Sequence, residues 1–150
     1  MWYAGSPLKA AAVLVSPQQK ELFARETEIA RYRYLPRIMG QAATARFSRV
    51  LEGLHRLHQE QSLLPHWHLS LLGVDPVWQN HGVGTALMNR MLSHVDKARQ
   101  PVYVETQKVG NLTFHAKFGF EPLVEGAIEP VGGLIAWTLL RHKIDSKLRI

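Results

Sequence analysis

The sequence predicts an α/β fold in which helices are layered against a sheet. Short apolar segments bounded by Pro and Gly alternate with longer amphipathic segments along the chain. The length of 150 residues suits one hydrophobic core, and 46% hydrophobic and 20% charged residues are ordinary values for a globular protein. We therefore assign residues 1–150 to a single domain.

The first half of the chain contains one predicted strand and two predicted helices. Lys9–Val15 has the apolar character of a short buried strand. Helical character follows from about Gln18 to Leu35, where Pro36 interrupts it. A second helix is predicted from about Gln41 to Gln59. Its apolar residues recur at helical spacing, at Ala43, Phe47, Val50, Leu54 and Leu57.

A strand, a turn and a helix are predicted next. His66–Asp75 has the pattern of a strand that is buried on both faces near its end. The glycine-containing turn Gln79–Gly84 leads from this strand into a third helix. The apolar stripe of that helix consists of Val83, Leu87, Met88, Met91, Leu92 and Val95.

The last third of the chain contains another strand, a short helix and two extended segments. Pro101–Thr106 is predicted to be the strand. Asn111 offers an N-cap for the short helix, and Gly119 occupies its C-terminal glycine position. The extended segments are Phe120–Val124 and Leu134–Leu140.

Composition narrows the classes of function. Without cysteine, neither disulfides nor thiolate chemistry can contribute. No segment approaches the roughly 20 apolar residues that span a bilayer. The apolar run Ala10–Val15 is shorter than the roughly 7–15 residues of a secretory core, and no basic segment precedes it. We therefore expect a cytoplasmic protein with no membrane partner.

The chain is basic, with a formal charge of +6 and a pI near 9.9. Such a surface attracts nucleic acid or a polyanionic small ligand. The Arg and Lys residues form no dense block, and no nucleic-acid-binding motif is present in the sequence. We therefore interpret them as a solvated surface and expect no nucleic-acid partner.

The turn before the third helix carries the most informative pattern. Glycines at positions 82 and 84 allow an anion to approach the backbone at a helix start, where N–H groups are unpaired. Thr85 adds a hydroxyl donor. The spacing is neither that of G-x-G-x-x-G nor that of a Walker A loop, which needs Gly-Lys-Ser/Thr. Alone, the turn indicates either a phosphate site or a helix start that contains flexible glycines and binds no ligand.

Two motifs in order resemble those of the GNAT superfamily of N-acetyltransferases. Gln79, Gly82 and Gly84 match its pyrophosphate-binding pattern Q/R-x-x-G-x-G/A between a strand and a helix. Asn111–Phe120 is similar to a later block of the family, a short helix ending in Gly-Phe. The resemblance covers roughly Lys9 to Arg141. It implies a GNAT-like mixed, mostly antiparallel central sheet with a splayed strand pair, flanked by helices.

The resemblance also implies acetyl-CoA as the acyl donor. The segment Leu72–Val74 would splay from Val102–Glu105, and pantetheine would pair with the exposed backbone of the first strand. The amides of His81 to Thr85 would hold the pyrophosphate. The implied cofactor-binding residues are Leu72, Val74, Gln79, Asn80, His81, Gly82, Val83, Gly84, Thr85, Asn111 and Phe114, and no metal is expected.

Direct attack of an amine on the thioester would need a general base and no covalent enzyme intermediate. His68 is the first candidate, because some relatives carry a base on this strand and its unperturbed pKa of about 6.5 suits the task. Glu105 is the second candidate and His66 the third, although each is also explained as a polar residue at a strand edge. His115 occupies the position at which many relatives carry a tyrosine that protonates the leaving thiolate.

The chain departs from the family pattern at its start. The strand near Ala10–Val15 matches the family's third strand, so we expect the usual first strand and helices to be missing. An exposed sheet edge near Lys9–Val15 would favour a homodimer. We expect an enzyme that acetylates a small-molecule or peptide amine. The alternative is a catalytically degenerate module that binds CoA or a partner, which His115 and the short start favour.

Overall fold

The computed structural model describes residues 1–19, 34–61, 65–127 and 134–142, which contain both strands and helices. None of the helices in these ranges has the length and apolar composition that a membrane crossing requires. The strands are β1 (Trp2–Ala4), β2 (Ala10–Val15), β3 (Trp67–Val74), β4 (Val102–Thr106), β5 (Glu121–Ala127) and β6 (Ile135–Arg141). The helices are α1 (Leu35–Met39), α2 (Gln41–Glu60), α3 (Val83–Val95) and α4 (Val109–Ala116).

The strands form one six-stranded sheet in the order β1-β2-β3-β4-β6-β5. All neighbouring strands are antiparallel except β3 and β4, which are parallel and are connected through α3. The β3–β4 pairing comprises only Trp67 with Val102 and His68 with Tyr103. The sheet is therefore mixed, mostly antiparallel and splayed between β3 and β4, which confirms the predicted fold class.

A bulge in β3 accompanies this separation. Val13 pairs with Leu71 whereas Leu14 pairs with Leu69, so that Ser70 is an extra residue on β3. A bulge bends the strand that carries it and increases its local twist. Ser70 lies two residues after His68, the last β3 residue paired with β4, where β3 departs from β4.

The main apolar core lies between the sheet and α3. The predicted stripe of α3 is buried at Leu87, Met88, Met91, Leu92 and Val95, and Val83 is partly buried against the same cluster. The sheet contributes Ala10, Ala12, Leu14, Leu69, Val102, Val104 and Leu139 to this core. Full burial of each larger aliphatic side chain stabilises the fold by about 1.5–3 kcal/mol. This core therefore fixes α3 against the strands on either side of the splay.

The opposite face of the sheet is covered by the C-terminal part of α2. Gly53 and His58 are the buried residues of this helix, whereas Phe47 is 38% exposed. Just beyond the helix, the Gln61 side chain donates a hydrogen bond of 2.7 Å to Thr138 Oγ1 on β6. The predicted apolar stripe thus gives the correct position of α2. Only a short part of this helix is buried, however, and that part includes a histidine.

The end of β3 differs from its prediction. It is not buried on both faces, because Leu71 is 47% exposed and Gly73 is exposed. Leu72 and Val74, on the face toward α3, are half-buried. A strand that leaves its neighbour exposes one edge, so the apolar run signals an open cleft and not a buried strand end.

The first predicted helix also requires a correction. Residues 20–33 of the predicted helix Gln18–Leu35 lie outside the described residues. Pro17–Gln19 forms a single 3₁₀ turn. Leu35 begins α1 and does not end a helix, with Pro36 in the first turn. Proline is accepted there because the first N–H groups of a helix have no intrahelical partner.

The strand β1 is absent from the sequence prediction. Trp2–Ala4 pairs antiparallel with Ala10–Ala12, after a turn in which Gly5 has a φ of +85°. The expected open sheet edge at Lys9–Val15 is therefore wrong over these residues, because β1 covers it. The missed strand is only three residues long, too short to show an alternating pattern.

A mostly buried ion pair joins β6 to the end of α3. The Arg141 guanidinium donates to both carboxylate oxygens of Asp96 at 2.6 and 3.1 Å. Arg141 Nε donates to the carbonyl oxygen of Phe118 at 2.9 Å. The Arg141 side chain is 7% exposed and that of Asp96 is 33% exposed. Removal of the carboxylate would thus leave a buried cation without its charged partner.

We expect Asp96→Asn to lower the free energy of unfolding by roughly 1–3 kcal/mol, because a buried ion that loses its partner is costly and Asp96 is partly solvated. Urea denaturation measures this change. Glu60→Gln, at an exposed residue, is the control and should stay within about 0.5 kcal/mol of wild type. An equal effect of both substitutions would contradict the assigned role of the pair.

Candidate functional site

The site is a cleft between the separated ends of β3 and β4. Asp75 N donates to Lys9 O on the β2 side at 2.9 Å. Alternate residues of an antiparallel strand bond to the same neighbour, so Gly73 also faces β2. Leu72 and Val74 consequently direct their backbone N–H and C=O groups toward the cleft. These are the two residues for which the resemblance implied an exposed backbone.

The loop after β3 is tied to the end of that strand by Gln79. Its Nε2 donates to Val74 O at 3.1 Å, and its own carbonyl oxygen lies 2.7 Å from His81 Nδ1. Asn80 and Gly82 have φ values of +62° and +77°, a left-handed backbone that asparagine and glycine accept most readily. Through these two contacts, Gln79 stabilises the conformation of the loop.

The two glycines of the motif have different roles. A Cβ built on Gly82 would meet nothing within 4 Å, so the outer surface of the loop is open there. A Cβ on Gly84 would lie 3.1 Å from Val74 Cγ2 and 3.8 Å from Phe114 Cζ. The space left by Gly84 is thus filled by protein. It lets α3 begin close to β3 and α4, and does not clear a path for a phosphate as the sequence suggested.

The start of α3 presents hydrogen-bond donors beside Gly82. The helix begins at Val83 with Gly82 as its N-cap, and no side chain caps it. The first N–H groups of a helix have no intrahelical acceptor and carry the positive end of its dipole. The first turn contains no acidic residue, and Thr85 is exposed. The expected residues Val83, Gly84 and Thr85 therefore lie at a helix start suited to an anion.

The first two candidates for the general base are hydrogen-bonded to each other. His68 Nε2 lies 2.7 Å from Glu105 Oε2, near the inner end of the cleft. With the carboxylate ionised, Nε2 carries the hydrogen and donates it, which leaves Nδ1 as an acceptor. The His68 side chain is 22% exposed and that of Glu105 is 10% exposed. The sequence offered these residues as alternatives, whereas the structure makes them one pair.

Two more histidines extend this pair into the protein. His58 Nδ1 lies 4.0 Å from Glu105 Oε1, and His58 Nε2 lies 2.7 Å from His66 Nε2. His66 is on the same face as His68, as expected, but it is only 3% exposed. This burial makes His66 a partner of His58 and removes it from the reach of an acceptor amine.

Sequence reasoning missed His58 and Tyr103. The His58 ring stacks on the Tyr103 ring, with centroids 4.2 Å apart and planes at 10°. The signal for His58 was its position four residues after Leu54, on the buried stripe of α2. The signal for Tyr103 was its position two residues before Glu105, since alternate residues of a strand share one face.

Tyr103 is fully buried, on the same face of β4 as Glu105. Burial, together with the negative charge of Glu105, raises the pKa of Tyr103 well above its ordinary value near 10. Tyr103 therefore stays protonated, and its ring forms a rigid wall behind the histidines.

Asn111 and Phe114 lie on α4, at the outer part of the cleft. The helix begins at Val109 with Lys108 as its N-cap, so the prediction that Asn111 is the N-cap is wrong. Asn111 Nδ2 instead donates to Thr106 Oγ1 at 2.9 Å, which ties α4 to the end of β4. Phe114 packs beside the start of α3.

His115 lies deeper in α4 than an accessible proton donor would. It is 4% exposed, its ring contacts those of Phe114 and Phe120, and its Nδ1 has no hydrogen-bond partner among the described residues. Burial lowers the pKa of His115 to about 4. The ring is therefore neutral near pH 7.

The comparison with protein families agrees with this geometry. The Acetyltransferase (GNAT) domain matches residues 16–131. The chain belongs to the GNAT acetyltransferase family. The matched range contains the splayed strands, the glycine loop and the His68–Glu105 pair, so the family assignment and the cleft concern the same part of the chain.

Solved structures share this fold. A polyamine N-acetyltransferase of Drosophila melanogaster is 18% identical with a TM-score of 0.58, over 90% of this chain and 69% of that one. A mosquito arylalkylamine N-acetyltransferase like 5b is 15% identical with a TM-score of 0.51, over 89% and 68%. A histone acetyltransferase HPA2-related protein of Corynebacterium glutamicum is 21% identical with a TM-score of 0.48, over 55% and 44%. The chain spans between 44% and 62% of the length of this protein and of several other similar solved structures.

The buried His115 predicts a pH dependence of stability. Its folded pKa of about 4 lies below the unfolded value near 6.5, so between these values the unfolded chain binds more protons. The stability contributed by the neutral ring is complete above pH 6.5 and is lost as the pH falls toward 4.

We expect the free energy of unfolding of wild type to fall by about 2–3 kcal/mol more than that of His115→Phe between pH 7 and 4.5. Urea denaturation at a series of pH values measures both. His55→Phe, at an exposed histidine of α2, should follow wild type. Parallel curves for wild type and His115→Phe would contradict the lowered pKa.

Proposed function

We propose that the chain is an N-acetyltransferase that moves the acetyl group of acetyl-CoA to a primary amine by direct attack. The observation that carries this proposal is that three features lie along β3: the His68–Glu105 pair near its start, its open edge, and the glycine loop after its end. His68 and Val74 are about 20 Å apart along the strand, at roughly 3.3 Å per residue. A linear donor laid along β3 would have its phosphates at the loop and its thioester toward the pair.

The residues present fit acetyl-CoA. The open side of Gly82 and the unpaired N–H groups at the start of α3 suit a pyrophosphate. The backbone groups of Leu72 and Val74 that face the cleft suit the amides of a pantetheine arm. Bound there, the thioester supplies the activated acyl group.

His68 is the proposed general base. Glu105 accepts the hydrogen of His68 Nε2 and so fixes the ring, which leaves Nδ1 to take a proton from the acceptor amine. The amine nitrogen forms the new C–N bond, the C–S bond breaks, and the thiolate leaves with the electron pair. The charge that develops on the His68 ring is stabilised by the Glu105 carboxylate beside it.

The acceptor is proposed to be a small-molecule or peptide amine. Two of the similar solved structures, with TM-scores of 0.58 and 0.51, are named for the acetylation of amines, polyamines in one and arylalkylamines in the other. His68, whose side chain is 22% exposed, and the exposed Leu71 would border the cleft on the side where such an amine enters. These features support an amine acceptor.

One observation favours a second function, a module that binds acetyl-CoA without catalysis. His115 stands at the position of the family's proton-donating tyrosine, but its ring is buried and neutral. Such a module would retain the anion loop and the open strand edge. It would bind acetyl-CoA but would not transfer the acetyl group to any amine.

Two measurements separate these functions. Calorimetric titration of acetyl-CoA should show binding by wild type and none by Gly82→Trp, whose side chain would fill the open face of the loop. Acetyl transfer is then assayed with a panel of primary amines. Binding with no turnover for any amine would favour the second function, and no binding would contradict both.

We expect His68→Asn to lower kcat by 10²–10⁴-fold with little change in the affinity for acetyl-CoA, because a lost general base affects only proton transfer. The matched control is His55→Asn, an exposed histidine outside the cleft, whose rate should equal that of wild type. An unchanged rate for His68→Asn would exclude His68 as the base.

A further inference from the structure

We propose that His58, His68 and Glu105 bind a divalent transition-metal ion such as Zn²⁺, and that the ion competes with the function of His68 as a base. Metal binding itself depends only on these three side chains. The competition rests on the proposed acetyltransferase function.

The three side chains already converge. Their ligand atoms all lie within 4.8 Å of one another, with one atom from each residue. His58 Nδ1 is 4.0 Å from Glu105 Oε1, and His68 Nε2 is 2.7 Å from Glu105 Oε2. Tetrahedral ligands bound at about 2.0–2.1 Å are separated by roughly 3.3 Å. Shifts of about 0.6–0.7 Å in these two pairs, and of up to about 1.5 Å between the two histidine nitrogens, would thus bring the ligands to coordination distance.

The donor set suits zinc and its neighbours. Two imidazoles and one carboxylate, with a fourth position left open, are typical of zinc sites that keep a water or substrate position. Imidazole nitrogen favours Zn²⁺, Cu²⁺ and Ni²⁺ over Mg²⁺ or Ca²⁺, which prefer oxygen ligands. The charge of Glu105 would offset part of the charge of the ion.

His66 supplies the support that a metal-bound histidine usually has. A ligating imidazole commonly donates the hydrogen of its other nitrogen to an acceptor, which fixes the ring. His58 directs Nδ1 toward Glu105 and places Nε2 2.7 Å from His66 Nε2. Its stacking on Tyr103 holds the ring plane. Both contacts favour coordination through Nδ1.

His68 is the most exposed residue of the cluster. The side chains of His58 and Glu105 are 6% and 10% exposed, whereas that of His68 is 22% exposed. An ion would enter past His68 and would leave its fourth position on that side. The shielded position of the other two ligands strengthens their electrostatic attraction to a cation.

Coordination would block the base for a specific reason. A neutral imidazole that binds a metal through Nε2 carries its hydrogen on Nδ1. Nδ1 is the atom that must accept the proton of the amine. The ion would also replace the hydrogen bond between His68 and Glu105. Zinc should therefore lower the rate of acetyl transfer without displacing acetyl-CoA from the glycine loop.

The test is calorimetric titration of Zn²⁺ into the full chain after removal of metals with EDTA, together with the visible absorption of the Co²⁺-substituted protein. We expect one equivalent of zinc and the absorption of tetrahedral cobalt. Glu105→Gln, which keeps the side-chain size, and His58→Phe, which keeps a ring on Tyr103, should each weaken binding more than tenfold. His55→Ala, at an exposed histidine of the same helix, should bind like wild type.

No zinc binding by wild type, or equal binding by wild type, Glu105→Gln and His58→Phe, would overturn the site. Circular dichroism shows whether each variant is folded, and a variant that fails to fold is replaced by His68→Asn. Zinc binding without any loss of acetyl-transfer rate would overturn the competition. Since the titration contains no acetyl-CoA, failure of the proposed enzyme activity would leave the metal result intact.

Discussion

The separation of β3 from β4 is the constraint on which the rest of the structure depends. The two strands pair only at their first residues, up to His68 with Tyr103. The extra residue Ser70 then bends β3, while β2 holds its other edge in register as far as Val74. Because no other strand among the described residues pairs with the open edge, β3 directs backbone donors and acceptors into a cleft. The loop that follows the strand can therefore act together with the side chains at its start.

The two faces of the strand β4 contact two different buried regions beside this cleft. Val102 and Val104 enter the apolar core under α3, whereas Tyr103 and Glu105 face the histidines under α2. Burying polar groups is costly unless they pair, and a satisfied network is strengthened by the low local dielectric. In the chain of contacts from His66 to His68, the His66–His58 and Glu105–His68 contacts at 2.7 Å meet that requirement, and His58 lies 4.0 Å from Glu105 Oε1. The same strand thus packs in the apolar core on one face and positions Glu105 beside the histidines on the other.

Much of this arrangement could be predicted from the sequence, because local patterns encode it. The stripe of α3, the glycine loop and the strand that carries Glu105 all have short-range signals, and the motif order indicates the family. His58 could not be placed, because its partners come from distant elements brought together only by folding. The separate role of Gly84 depends on Val74 and on α4, and the three-residue strand β1 depends on its pairing with β2, so neither has a local signature.

Hydrogen exchange at single backbone amides tests the central claim, that the open edge of β3 receives acetyl-CoA. Without acetyl-CoA, the amides of Leu72 and Val74 should exchange rapidly, whereas that of Gly73, which faces β2, should be protected. Saturating acetyl-CoA should slow exchange at Leu72 and Val74 and leave Gly73 unchanged. If Leu72 and Val74 are protected without acetyl-CoA, or exchange equally fast with it bound, the cleft is not the site of the acyl donor.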